Sequence, residues 1–423
     1  MTTRTPPVAD VDLLEVRLHG EPIGTLTRLS DDRVAFAFSR DYIEDPGRNT
    51  LSLAFKDDLG GLLTDHPPTR PRLLPYFSNL LPEGALRDYL ARHAGVKSQR
   101  EFFLLWALGD DLPGAVTVRP AAAPPIPAPD TERRDRSSDD QPLDDRSFRF
   151  SLAGMQLKFS AVAETTGGLT IPARGVGGSW IVKLPSPTFD RLPENEQAMM
   201  TLARRIGIDV PETRLLPVRD IANLPEGIAR LGATAFAIRR FDRTDDSSAV
   251  HAEDFAQVFG VYPEDKYGRA SYRNVAEVIW TETGEPGLTE FIRRLVFNAL
   301  IGNADMHLKN WSLVYHDGRT AALAPAYDYV STIAYLPDDT MALKCVRTKE
   351  FSRFSTDELR SLADRASLPR TIVLNTARET VARFHDAWAN EKTHLGVPDP
   401  TIATIDAHLR RVPIAAAPSA SIE

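Results

Sequence analysis

The sequence predicts an α+β fold in two lobes, preceded by a further small module, and three observations predict it. Short strand-like runs and amphipathic helical runs come in separate blocks, which is how sheets and helices segregate in such folds. A Pro-, Ala- and charge-rich segment at residues 120–146 divides the first block from the rest, and its composition predicts a flexible linker. In the last block, a helical pattern runs directly into a polar cluster that contains Asp305 and Asn310, with Asp328 close behind. At 423 residues the chain has room for two or three domains.

The elements follow in order. Residues 13–18, 23–29 and 34–38 read as strands of a small antiparallel sheet, the first two joined by a His-Gly-Glu-Pro turn. From Leu73 the pattern becomes helical, with helices over 85–93 and 98–108 that stop at Gly95 and Gly109. Residues 1–119 thus form an N-terminal module. After the linker, residues 148–160 read as strand, turn and strand, with Ser151, Gly154 and Gln156 at the turn. Lys183 sits in the apolar run 179–185. Residues 193–207 predict a helix with Glu194 and Glu196 in its first turns, Arg204 and Arg205 in its last, and Gly207 at its end. Residues 234–243 read as a buried strand that leaves the core at a charged run, which closes a small lobe over 147–245. Residues 246–412 form the larger lobe, its final third helical. The Ala- and Ser-rich tail, 413–423, predicts disorder.

The chemistry is concentrated in residues 300–311 and 326–329. Asp305 and Asn310 stand in the D-x-x-x-x-N spacing with which protein-kinase catalytic loops place a base near the attacking hydroxyl and an amide oxygen on a metal. Asp328 offers the second metal-holding group. Asp and Asn are also turn formers, and the same run can be a loop that satisfies its own backbone. The context favours the phosphotransferase: apolar residues at helical spacing over 290–301 lead in, and an alternating strand over 311–315 leads out. Lys183 on its strand can serve nucleotide phosphates, with Glu194 or Glu196 as its partner, although dipole matching explains the two glutamates equally well.

Composition excludes other classes. A net charge of −8 argues against a wholesale basic surface for nucleic acid. The single cysteine, Cys345, excludes an intrachain disulfide framework and suits a reducing compartment. No run of about eighteen apolar residues and no apolar N-terminal segment is present, so a cytoplasmic location is expected.

Eight stretches in order resemble the HipA family of bacterial toxin kinases over nearly the whole chain: residues 77–84, 151–158, 181–185, 194–196, 240–243, 251–257, 302–310 and 327–328. The resemblance implies a bilobal protein-kinase-like fold with an extra N-terminal subdomain and an all-helical C-terminal lobe. It also implies a Ser/Thr kinase that uses ATP and Mg²⁺, paired with a helix-turn-helix antitoxin that contacts DNA on its behalf. Its substrate would belong to the translation machinery, notably an aminoacyl-tRNA synthetase. By the same resemblance Asp305 is the catalytic base, Asn310 and Asp328 are metal ligands, and Lys183 binds phosphate. Ser151, Ala153, Gly154, Gln156 and Lys158 form the loop over the nucleotide, His307 and Tyr327 line its site, and Arg239 and Phe241 offer backbone groups to the adenine. Ser151 is also the expected site of autophosphorylation and self-inactivation. Arg239 stands where the family often has an acidic residue, and Leu157 where glutamate or proline is common. A small-molecule kinase of similar fold and a nucleotide-binding co-repressor without phosphotransfer remain the alternatives.

Overall fold

The computed structural model describes residues 12–93, 95–121, 158–163, 169–170, 178–224, 232–336 and 340–416. Strands β1 (Leu13–Leu18), β2 (Glu21–Arg28) and β3 (Val34–Phe38) are followed by helices α1 (Arg40–Glu44), α2 (Pro75–Asn79), α3 (Gly84–His93) and α4 (Glu101–Leu108), then β4 (Val116–Pro120). The sheet runs β3-β2-β1-β4. Alternation decides its buried face, because successive side chains of a strand point to opposite sides: Leu14, Val16 and Leu18 are buried, as are Phe36 and Phe38 of β3. They share a core with Phe77 of α2 and Leu104 and Leu105 of α4. Gly109 ends α4 for a steric reason, since a Cβ there would lie 1.9 Å from the Val118 carbonyl. The sheet reaches slightly past the expected start of the linker, because the Ala121 amide donates to Leu13 O at 3.1 Å.

In the small lobe come β5 (Lys158–Ala163), β6 (Leu169–Thr170), β7 (Trp180–Lys183), α5 (Leu192–Arg205), β8 (Thr213–Pro217), β9 (Ile221–Ala222) and β10 (Thr234–Arg239). The described strands line up as β8-β10-β7-β5-β6-β9. Lys183 closes β7 opposite Phe236 of β10. Helix α5 begins with Pro193 and Glu194 and ends with Arg204 and Arg205, as its sequence predicts.

The larger lobe contains β11 (His251–Asp254), α6 (Phe255–Val258), α7 (Tyr272–Ile301), β12 (Ser312–Tyr315), β13 (Ala322–Leu323), α8 (Thr356–Arg365), α9 (Arg370–Glu391) and α10 (Asp399–Leu409). The lobe expected to be all-helical therefore also carries a small sheet, β11-β12-β13. The strand is needed because the chain leaving the polar loop must pair its backbone groups in the interior, where water cannot. Helix α7 starts at a capping box between Ser271 and Asn274, breaks its helical path at Gly284, and ends at Gly302 in the left-handed conformation. Its apolar face joins Trp311, Tyr329, Phe351 and Phe384 in the largest core. Residues 413–416, which the sequence assigns to a disordered tail, are folded against the lobe, and residues 417–423 lie outside the described residues. Ile414 and Ala415 are buried, and the Ile414 amide donates to Phe354 O at 3.0 Å. The described helices include none long and apolar enough to cross a membrane.

A buried polar seam joins the N-terminal module to the other two lobes. Arg240 and Arg243 bind Asp111 at 3.0 and 3.5 Å, and Asp242 accepts from the Gly114 amide at 2.8 Å. His251 Nε2 donates to Leu51 O at 2.7 Å, and its Nδ1 accepts from the Ala115 amide at 3.5 Å, so the ring is held neutral. Burial pushes its pKa down to about 4. Glu253 accepts from Ser52 Oγ, the Leu53 amide and Tyr315 Oη, yet burial still pushes its carboxyl up to about 7.

Candidate active site

Gly302 aims the loop that carries Asp305 and Asn310. Its φ of 65° turns the chain out of α7 where a Cβ would meet the Ile333 side chain at 2.4 Å. The loop then holds itself rigid. The Asn303 amide donates to Asn298 O at 2.9 Å, while its side chain donates to Asn298 Oδ1 at 2.9 Å and accepts from the Asp305 amide at 3.0 Å. Asn310 Nδ2 donates to the Asp305 carbonyl at 2.8 Å, which leaves Oδ1 as the atom a cation would use. Within this mostly buried loop Asp305 is exposed. Its Oδ1 accepts a hydrogen bond from the Tyr267 hydroxyl.

Opposite the loop, Lys183 Nζ lies between two carboxylates, Glu196 of α5 and Asp328. Side-chain exposure is 5% for Lys183, 1% for Glu196 and 21% for Asp328, so the triad is nearly closed to water. Burial pulls the lysine's pKa down, but the charges of Asp328 and Glu196 outweigh it and hold the ammonium above its ordinary range. Asp328 occupies a left-handed backbone conformation, φ 64°, which is rare outside glycine and marks a constrained position. Its carbonyl accepts from Asn303 Nδ2 at 3.4 Å. Beside Glu196, Asn195 exchanges hydrogen bonds with the backbone of Ser331, to its carbonyl at 3.1 Å and from its amide at 3.0 Å. One turn of α5 thus fixes both Lys183 and the segment after Asp328.

Tyr327 stacks on Phe241 with centroids 5.6 Å apart, and its hydroxyl bonds Ser312 Oγ at 2.5 Å and donates to Lys309 O at 3.0 Å. This pair bridges the end of the small lobe and the loop 303–310. His307 is buried and meets Tyr267 edge to face at 5.0 Å. The Arg239 amide donates to Glu212 O at 2.9 Å, and its side chain pairs with Asp245. Ser151, Ala153, Gly154 and Gln156 lie outside the described residues. Of Lys158 only the backbone is described, in β5 opposite Lys183.

The donor set fits a magnesium nucleotide. Among the described residues no three His, Cys, Asp or Glu side chains gather into a site of their own. Magnesium commonly takes one or two carboxylates and completes its shell with water and substrate phosphates, which Asp328 and Asn310 suit.

Sequence reasoning assigned no role to several residues that build this centre. Tyr267 reaches Asp305 from 38 positions away. Lys309, beside Asn310, binds Asn79 O at 3.0 Å, Glu83 at 3.2 Å and Asp254 at 3.6 Å. Tyr267 lies in none of the quoted stretches, whereas Asn79 and Glu83, Asp254 and Lys309 are signalled only as members of 77–84, 251–257 and 302–310.

Two family models cover the chain, the HipA N-terminal domain over residues 14–119 and the HipA-like C-terminal domain over residues 150–388. A Sinorhizobium fredii protein named "Putative kinase Y4dM" is 54% identical over 94% of this chain and 96% of its own length. The serine/threonine-protein kinase toxin HipA of Shewanella oneidensis is 26% identical over 94% of this chain and 93% of its own. The structure of the Shewanella oneidensis HipA, solved with HipB and its operator DNA, superposes with a TM-score of 0.70 at 22% identity, over 95% of this chain and 96% of that one. With its fold matched over 95% of its length, Lys183 held between Glu196 of α5 and Asp328, and both domain models matched, this chain belongs to the HipA family of kinases.

Proposed function

We propose that the chain is a Ser/Thr protein kinase that transfers the γ-phosphate of ATP to a protein of the translation machinery, an aminoacyl-tRNA synthetase by family precedent. The observation that carries this reading is Lys183 gripped between Glu196 and Asp328, facing a loop whose exposed member is Asp305. Lys183 holds the phosphate tail, and Asp328 and Asn310 hold Mg²⁺, which when bound neutralises charge on the phosphates. Asp305 orients the acceptor hydroxyl and takes its proton as that oxygen attacks the γ-phosphorus, and ADP leaves. The stacked Phe241 and Tyr327 form an apolar wall for the nucleotide. Catalysis of this kind is mostly positioning and charge neutralisation, which suits a loop held by its own hydrogen bonds.

Ser151 is the proposed site of self-inactivating autophosphorylation. A HipB-like helix-turn-helix antitoxin is the proposed partner, and DNA is contacted through it. The test is mass spectrometry of the protein after incubation with Mg-ATP, beside Asp305→Asn. One added phosphate on Ser151, absent from the variant while nucleotide binding persists, is the expected result. Equal incorporation in the variant would remove Asp305 from its role, and ATP binding with no phosphate on any protein would favour the co-repressor.

A further inference from the structure

Glu83 lies in the stretch 77–84, which supplies no group to the proposed chemistry, yet its carboxylate meets two lysines of the catalytic lobe. Lys266 Nζ is 2.7 Å away and Lys309 Nζ 3.2 Å. Each lysine precedes a residue that touches Asp305. Tyr267 follows Lys266 and donates to the Asp305 carboxylate, whereas Asn310 follows Lys309 and donates to the Asp305 carbonyl at 2.8 Å. The two lysine segments are also tied to each other, because the Leu308 amide donates to Lys266 O at 3.3 Å. Asn79, from the same stretch as Glu83, adds its carbonyl and Oδ1 to Lys309 at 3.0 and 3.1 Å, and its Nδ2 donates to Val261 O at 2.8 Å.

These groups are shielded. Side-chain exposure is 28% for Glu83, 15% for Lys266 and 14% for Lys309. Burial raises the carboxyl's pKa, but the charges of Lys309 and Lys266 outweigh it and keep Glu83 below the usual range, hence ionised. Asp254 also faces Lys309, at 3.6 Å, but Glu83 is the anion that bridges both ammonium groups, and its removal lets them repel each other. Both segments would then shift, and with them the two contacts on Asp305.

Resting on the kinase reading above, we infer that Glu83 is a positioning residue through which the N-terminal module sets the catalytic loop. By gripping Lys266 and Lys309 it holds the Tyr267 hydroxyl and the Asn310 amide on Asp305. The module thereby governs turnover without touching nucleotide or acceptor, and whatever displaces residues 77–84 slows phosphotransfer.

The experiment uses the full chain with Glu83→Gln, Tyr267→Phe and the double variant, read in two ways. In single-turnover autophosphorylation from Mg-ATP, each single variant should lose about ten-fold in rate at unchanged half-saturating ATP, and the double variant should lose no more than either, because residues that act through one contact are not additive. A product of the two losses would overturn the relay. In hydrogen–deuterium exchange without nucleotide, Glu83→Gln should speed exchange in residues 262–268 and 303–310 and leave α9 unchanged. Unchanged exchange in both segments overturns the inference whatever the activities are. A wild-type chain that transfers no phosphate would instead defeat the kinase reading, and exchange would still decide the role of Glu83.

Discussion

Lys183 is a cation that two anions hold in a nearly closed space, and its removal has a consequence beyond the proposed loss of phosphate binding. In Lys183→Met, Glu196 and Asp328 face each other across a buried site. Breaking a buried ion pair costs about 3–5 kcal/mol. One of the two carboxylates can recover part of this by taking up a proton, so the deficit in thermal stability should be larger at pH 8 than at pH 5, with turnover absent at both. An equal deficit at the two pH values would mean that the carboxylates do not sense the lysine. Glu253 supplies a second pH test. Its folded pKa of about 7 lies above the ordinary value of 4.5, so the folded state binds the extra proton between those values, and stability falls as pH rises through that window. His251 runs the other way: its folded pKa of about 4 is below 6.5, and stability rises with pH between the two. The neighbours largely cancel. Glu253→Gln removes one slope, so the variant should gain on wild type from pH 5 to pH 8, by on the order of 1–3 kcal/mol in unfolding free energy. A loss over that interval would reverse the assigned sign.

At the scale of elements, the sequence marks most ends and few partners. The Pro193 and Glu194 entry and the arginine exit of α5, the stop of α3 before Gly95 and the left-handed Gly302 at the end of α7 follow from local chemistry, because such ends are set within a few residues of chain. The sheet β11-β12-β13 is different. Its middle strand is readable from alternation, but β11 lies about sixty residues earlier and is only four residues long. Gly302 shows what one end controls. Gly302→Ala combines a left-handed backbone with a clash on Ile333, and should cost on the order of 1–3 kcal/mol. Since the catalytic loop hangs from this turn, the rate should fall by more than the change in ATP affinity, measured by phosphotransfer kinetics and nucleotide titration. Retained rate with reduced stability would show that the loop is set elsewhere.

For the whole molecule, the seam between the module and the rest is where several of the eight quoted stretches converge. Residues 240–243, 251–257 and 77–84 all make polar contacts across it: Arg240 with Asp111, His251 with Leu51, Gln257 with Tyr76 O at 3.2 Å, and Glu83 with Lys309. A chain that begins after the linker would expose Asp242, His251 and Glu253 without their partners, and buried polar groups left unpaired are costly. Residues 147–416 expressed alone should therefore be poorly soluble or markedly less stable, as read by thermal unfolding, and co-expression with residues 1–121 should recover them. A fully stable isolated fragment would mean that the seam is dispensable.

The sequence by itself determined the two-lobed α+β order, the N-terminal module, the helix ends near the site, and the polar groups Asp305, Asn310, Asp328 and Lys183, because composition, periodicity and short spacings encode them. It left open which glutamate pairs with Lys183, and the fold chose Glu196, the one buried against β7. Only the tertiary structure decided that Tyr267 meets Asp305, that Glu83 holds two lysines far along the chain, and that Arg239 has already spent its amide. Those contacts join residues of high sequence separation, and around Glu83 the fold also excludes water, which strengthens the ion pairs; no local pattern of residues records either effect.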